Sequence, residues 1–116
     1  MSKILYAAYG SNMHLDQMAK RCPGAILKGK GMIEDYELMF RYYATIEPKK
    51  GASVPIAIWE LTPQDERNLD RYEGYPTLYR KEMVKVKGRN SPIMAYVMNE
   101  DARPYYEPPT DYMALS

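Results

Sequence analysis

One cysteine, one histidine, one phenylalanine and one tryptophan occur in the 116 residues. A lone thiol, Cys22, excludes an internal disulfide, and together with the lone His14 it cannot supply a usual structural zinc site. No metal or organic cofactor is expected. Cysteine use this sparse fits a reducing cytoplasm, the expected location. No run approaches the roughly 20 apolar residues of a membrane span, and the first residues lack the apolar region and cleavage site of a signal peptide. Neither charge sign is in excess: the formal net charge is +1. No basic stripe marks a nucleic-acid binder. Lys28 and Lys30 alternate, as do Lys85 and Lys87, which suits the solvent side of strands.

Tyrosine is what the chain has in quantity, with 12 residues. A tyrosine buries a ring and keeps a polar tip, so this set can line a polar pocket or sit half-buried on a small β-rich domain. The length suggests one domain over residues 1–116, large enough to bury a core unaided. Residues 3–9 read as a short buried strand ending at Gly10. Asn12 is a candidate N-cap for a helix through Arg21, which Cys22-Pro23-Gly24 ends. Residues 25–33 and 36–43 read as two strands joined by a tight turn at Glu34-Asp35. Pro48-Lys49-Lys50-Gly51 reads as a loop, and residues 54–61 as a strand with Pro55 at its start or on an edge. Thr62-Pro63-Gln64-Asp65 opens a second helix, with Thr62 as cap and acids in the first turn. Gly74 stops it. Residues 79–87 and 93–98 form a hairpin, and the proline-rich tail from Arg103 to Tyr112 shows no periodicity. The expected fold is α+β: about six strands in a curved or closed mixed sheet, with short helices at its ends.

Two stretches can carry chemistry. In Tyr9-Gly10-Ser11-Asn12 a strand meets a helix, and glycine permits close backbone approach. Free N–H groups there can hold a carboxylate or an oxyanion, or the turn can be a plain helix entry. In Leu69-Asp70-Arg71-Tyr72-Glu73-Gly74, Glu73 lies four residues after Leu69 and so shares the core-facing side of the helix. It also lies at the helix C-terminus. Burial and the helix dipole both disfavour its charged form, which moves it towards the range of a general acid/base. The alternative is an exposed glutamate on a fraying turn. Asp70 and Glu66 read as solvated helix charges. Tyr79 and Tyr112 can each turn a hydroxyl into a pocket or simply pack. His14 reads as a surface residue, Cys22 as a structural thiol, and Ser11 has no His and Asp spacing of a nucleophilic triad.

Tyr9-Gly10-Ser11-Asn12-Met13 directly after an N-terminal strand resembles the opening of the γ-glutamylcyclotransferase-like family. So, in order, do Ala44-Thr45-Ile46, Ile58-Trp59-Glu60-Leu61-Thr62, Leu69 to Gly74, Tyr79, and Ala95-Tyr96-Val97-Met98. The resemblance implies a small mixed β-barrel with flanking helices and an enzyme acting on γ-glutamyl amines or dipeptides. Such enzymes release 5-oxoproline and a free amine or amino acid. It implies Glu73 as the acid/base, and substrate contacts from Tyr6, Ala7, Ala8, Tyr9, Gly10, Ser11, Asn12, Tyr79 and Tyr112. The implied partner is a small γ-glutamyl molecule. Two features depart from many relatives: only four residues follow Tyr112, which implies a more open pocket, and Pro55-Ile56 replaces a glycine before the apolar-Trp stretch. A hydrolase or acyl transferase releasing glutamate, and a non-catalytic module binding an acidic small molecule, are the rival readings.

Overall fold

The computed structural model describes residues 3–41 and 43–100, with Ser11 and Asn12 described by backbone alone. The strands are β1 (Ile4–Ala8), β2 (Ile26–Phe40), β3 (Ala44–Leu61), β4 (Tyr79–Val84) and β5 (Ile93–Met98). The helices are α1 (Leu15–Arg21) and α2 (Pro63–Glu73), and a 3-10 turn spans Gly10–Met13. The strands form one sheet in the order β2-β3-β1-β5-β4. All neighbours are antiparallel except β1 and β5.

The sheet has five strands rather than six because two expected strands are one. The predicted turn at Glu34-Asp35 is a bulge inside β2. Glu34 pairs with Ser53 and Tyr36 with Pro48, so Asp35 alone stands opposite residues 49–52 of β3. Asp35 takes a positive φ of 63°, and its carboxylate accepts from the Gly51 N–H at 2.9 Å. The expected loop at Pro48–Gly51 is thereby absorbed into β3. Turn-forming residues here bend a long ribbon, as bulges do, instead of ending it. Pro55 is tolerated inside β3 for a similarly local reason. The pairing of β1 with β3 ends at Ala8 and Ala57, and Pro55 is paired to Met32 of β2. At that position β3 has lost its β1 neighbour, so a missing donor costs little.

The edge strands do not ladder along their length. They meet at one antiparallel bridge between Ile33 of β2 and Val86 beyond β4. The Glu34 N–H donates to the Lys85 carbonyl and the Lys87 N–H to the Met32 carbonyl, each at 2.9 Å. The sheet therefore curls without closing.

Alternation along the strands gives the sheet two apolar faces. Inside the curl lie Ala7, Ile46, Ile56, Ile58, Ala95 and Val97. The other face presents Tyr6, Ala8, Trp59, Leu61, Tyr96 and Met98, and is covered by Met18 of α1 and Leu69 of α2. Four tyrosines, Tyr6, Tyr43, Tyr79 and Tyr96, are buried on this helix-covered side. Among the described residues these four tyrosines are core, with polar tips that need partners, while Tyr9, Tyr36 and Tyr72 are half-buried and Tyr75 is exposed.

Candidate active site

Helix α2 is built as the sequence indicates at both ends. Thr62 is the N-cap: its hydroxyl accepts from the Asp65 N–H, and the Asp65 carboxylate accepts from the Thr62 N–H, each at 3.1 Å. Pro63 occupies the first turn. At the other end Gly74 adopts the left-handed conformation, with φ 68°. The Tyr75 N–H returns to the Asp70 carbonyl at 2.9 Å. A side chain at 74 would be strained, since only glycine takes that conformation freely. The helix must therefore stop immediately after Glu73.

Glu73 is only 7% exposed. Its burial follows from its place one turn beyond Leu69, which is fully buried. The exposed, fraying alternative is excluded. The charge of Glu73 acts on the phenol of Tyr96, a residue of β5, and the Tyr96 ring meets Tyr6 of β1 edge-on, with centroids 5.7 Å apart. Glu73, Tyr6 and Tyr96 thus gather on the helix-covered face.

Strand β1 ends at Ala8, and Gly10 turns the chain with φ 67°. A Cβ at Gly10 would sit 3.8 Å from that of Ala44, an ordinary contact, so dihedral strain rather than space calls for glycine here. The Ala44 carbonyl accepts from the Tyr79 hydroxyl at 2.6 Å, which ties the start of β3 to β4 beside the turn. The residues after Gly10 form a 3-10 turn, so α1 starts later than expected. Its N-cap is His14, not Asn12, and the histidine side chain makes no capping bond. The 3-10 turn has used up Gly10–Met13 before the α-helix begins.

The predicted contact residues divide by face. Tyr6, Ala8 and Tyr79 lie on the helix-covered face with Glu73. Ala7 and Tyr9 belong to the inside of the curl, although the Tyr9 hydroxyl reaches the Tyr96 carbonyl. Gly10, Ser11 and Asn12 lie in the 3-10 turn. Tyr112 lies outside the described residues.

Asp70 and Glu66 are not solvated charges. The Lys81 ammonium is 2.6 Å from Glu66 and 3.0 Å from Asp70, and the Tyr96 hydroxyl donates to Asp70 at 2.6 Å. These partners stand on β4 and β5, so no helical spacing could reveal them. Tyr96 was part of a recognisable strand, yet nothing local marked its hydroxyl. Trp59, paired with Tyr6 across β3 and β1, buries its indole N–H with no hydrogen-bond partner among the described residues.

A cavity of about 300 Å³ opens elsewhere, between Arg41, Thr45, Glu47, Arg80, Met98 and Glu100. Its arginines are already paired, Arg41 with Glu47 and Arg80 with Glu82, and it includes neither Glu73 nor the Gly10 turn. Buried chemistry of the kind at Glu73 weighs more than volume. Among the described residues no three His, Cys, Asp or Glu side chains stand together as metal ligands.

Cys22 behaves as a structural thiol. Burial, reinforced by the charge of Asp65 and opposed by Arg21, pushes its pKa up to about 12. Its S–H points to the Asp65 carbonyl at 3.6 Å. With the folded value above the ordinary 9.0, the neutral thiol stabilises the fold below about pH 9, and that contribution is lost as pH climbs towards about 12. The urea midpoint should therefore fall as pH rises above 9, and fall less in Cys22→Ala. An identical slope in both proteins would contradict this account.

The described chain is thus a curled α+β sheet with two helices on one face, the second of which buries Glu73. The family model described as "Gamma-glutamyl cyclotransferase, AIG2-like" matches residues 6–114. The chain belongs to that family, which carries a γ-glutamyl cyclotransferase-type function. No curated protein matches the chain. Among solved structures, a gamma-glutamyl cyclotransferase is 24% identical, with a TM-score of 0.74, over 84% of this chain and 68% of that one. An uncharacterized Homo sapiens protein is 25% identical, with a TM-score of 0.76, over 86% and 69%. An AIG2-like protein from Mus musculus is 19% identical, with a TM-score of 0.71, over 100% and 86%. No described helix is long and apolar enough to cross a membrane.

Proposed function

We propose that the protein cyclises γ-glutamyl amines or γ-glutamyl amino acids, releasing 5-oxoproline and the free amine. The observation that carries this reading is the burial of Glu73 at the end of α2, on the face it shares with Tyr6 and Tyr96. A carboxylate out of water at a helix C-terminus is disfavoured in its charged form by both burial and dipole. That is the environment of a group that accepts and returns a proton near neutrality.

The reaction needs little else. The substrate α-amine attacks its own γ-carbonyl carbon, and a five-membered ring closes. Glu73 takes a proton from the α-ammonium, which frees the attacking lone pair. The tetrahedral intermediate collapses, the γ-amide C–N bond breaks as Glu73 returns the proton to the leaving nitrogen, and the second proton lost by the ring nitrogen goes with the amine, which departs as its ammonium form. Both reacting groups belong to one molecule, so the enzyme gains most by holding it folded. Backbone N–H groups of the Gly10–Met13 turn are assigned to the substrate's anionic end, with Tyr6, Ala8 and Tyr79 on the adjoining wall. Ala7, Tyr9, Ser11 and Asn12 belong to the same segment, and Tyr112 is assigned to the wall on sequence alone.

The test is a product analysis. Purified protein is incubated with a panel of γ-glutamyl amines and γ-glutamyl amino acids, and the glutamyl fragment is weighed by mass spectrometry. Ring closure gives 5-oxoproline, whereas hydrolysis gives glutamate, heavier by one water. Glutamate as the first product, or ligand-induced stabilisation with no turnover across the panel, would refute the cyclase reading.

A further inference from the structure

Asp70 and Glu73 are three residues apart in α2, so they are neighbours on one helical face, with Cβ atoms roughly 5–6 Å apart. Two carboxylates this close disfavour each other's charge. The structure treats them unequally. Glu73 is buried against the tyrosines. Asp70 reaches outward to the sheet, where the Tyr96 hydroxyl donates to it at 2.6 Å and the Lys81 ammonium approaches to 3.0 Å. Lys81 also meets Glu66 at 2.6 Å and stands 4.2 Å above the ring of Tyr75. Its partial burial disfavours the ammonium, but the hydrogen bonds to Glu66 and Asp70 outweigh that, and its pKa lies above the ordinary 10.5. The Tyr96 phenol is driven well above its ordinary 10.0 by burial first, then by its bond to Asp70 and the charges around it, Glu73 among them. The Tyr96 hydroxyl is the donor in its 2.6 Å bond to Asp70. One phenol is gripped by Asp70 while standing in the field of Glu73.

We propose that Asp70 is a positioning residue: clamped between Tyr96 and Lys81, it fixes the tyrosine wall beside Glu73 and, with Lys81, sets the charge field in which that glutamate works. The proposal deepens the cyclase reading and rests on Glu73 as its acid/base. The two members of the clamp act with opposite sign. The negative charge of Asp70 makes it harder to ionise Glu73. The positive charge of Lys81 offsets that of Asp70 and makes it easier. Other titratable or charged groups on the described elements packed around α2 include Tyr6 of β1, Tyr79, Arg80 and Glu82 of β4, Lys20 and Arg21 of α1, and Arg67, Arg71 and Tyr72 of α2 itself, while Cys22 lies at the opposite end of α2, against Asp65. Arg21 is stacked on Tyr72 at 3.7 Å. All of these stay unchanged in the variants below.

The experiment reads Glu73 directly, without turnover. Protein labelled with carboxyl-13C glutamate is titrated by NMR, and the Glu73 signal is assigned by its loss in Glu73→Gln. Asp70→Asn should lower the Glu73 midpoint by about half a pH unit or more, and Lys81→Met should raise it by a similar amount. Lys81→Arg, which keeps the charge, should stay within a few tenths of the wild type. Lys81 is partly exposed, so its variants are expected to fold even if Asp70→Asn does not. A midpoint that fails to rise in folded Lys81→Met, or that moves in the same direction in Lys81→Met and Asp70→Asn, would overturn the proposal. The acid limb of kcat/KM for 5-oxoproline release should follow the NMR midpoint. Opposite NMR shifts in a protein that forms no 5-oxoproline would refute the cyclase reaction and leave the charge field standing.

Discussion

Glu73→Gln is expected to slow 5-oxoproline release by about 10²–10⁴-fold while leaving the protein folded. The substitution keeps the shape and length of the side chain and removes only its capacity to exchange a proton. General acid/base catalysis contributes typically about 10²–10⁴-fold, and kcat/KM should fall by a factor in that range. Stability should change little, because a buried neutral amide is easier to keep from water than a buried carboxylate. The residual rate reports how much of the catalysis is positioning, since a substrate held for ring closure still gains from proximity alone. The pH profile adds a second criterion. If Glu73 removes the α-ammonium proton, its acid limb disappears in the glutamine variant. A folded Glu73→Gln protein that retains more than a tenth of wild-type kcat/KM, or keeps the same acid limb, would rule out the assignment.

The burial of Glu73 at the end of α2 was legible in the sequence because every signal that sets it is local. Thr62, Pro63 and Asp65 mark the start of α2, Gly74 marks its end, and the spacing from Leu69 gives the face. Capping and helical periodicity act over a few residues and need no knowledge of the rest of the fold. The long ribbon of β2 and β3 was misread for the converse reason. Glu34-Asp35 and residues 48–51 do have turn chemistry, but cross-strand pairing on both sides of Asp35 carries the ladder past it. Local turn preference is weaker than the register of a long hairpin. The clamp around Asp70 was invisible because its partners lie 11 and 26 residues away, on strands that only the folded sheet brings to α2. The start of α1 was displaced by the 3-10 turn. In the ribbon and the clamp the deciding partner was distant in sequence, whereas α1 was displaced by its immediate neighbour.

The same distinction governs the largest expected loss of stability, which comes from Asp65→Ala. From the sequence, Asp65 is only a favourable acid in a first helical turn. In the fold it is 2% exposed, and its two carboxylate oxygens hold two different segments. One accepts from the Thr62 N–H at 3.1 Å and completes the capping box of α2. The other accepts from the Gly24 N–H at 3.1 Å, in the link that follows α1. Gly24 is small for this contact: a Cβ there would lie 3.0 Å from one Asp65 oxygen and 3.3 Å from the Thr62 methyl. Alanine at 65 removes both acceptors and leaves the Thr62 N–H, on a half-buried residue, and the Gly24 N–H, on an exposed one, without them. Hydrogen bonds to a charged group are worth about 1.5–3 kcal/mol each, and an orphaned donor costs about as much as a lost bond. Asp65→Ala should therefore destabilise the fold by about 3 kcal/mol, which for a domain of this size lowers Tm by roughly 10–20 °C. Asp65→Asn, with one acceptor oxygen, should fall between. The measurement is urea denaturation of the two variants and the wild type at neutral pH. A loss below about 1 kcal/mol in Asp65→Ala would mean that Asp65 does not join the two helices. The junction bears on catalysis because α2 is short and stiff: whatever anchors Thr62 and Asp65 at its start also places Glu73 at its end. Asp65→Ala protein kept folded in the cold should accordingly lose kcat as well as stability.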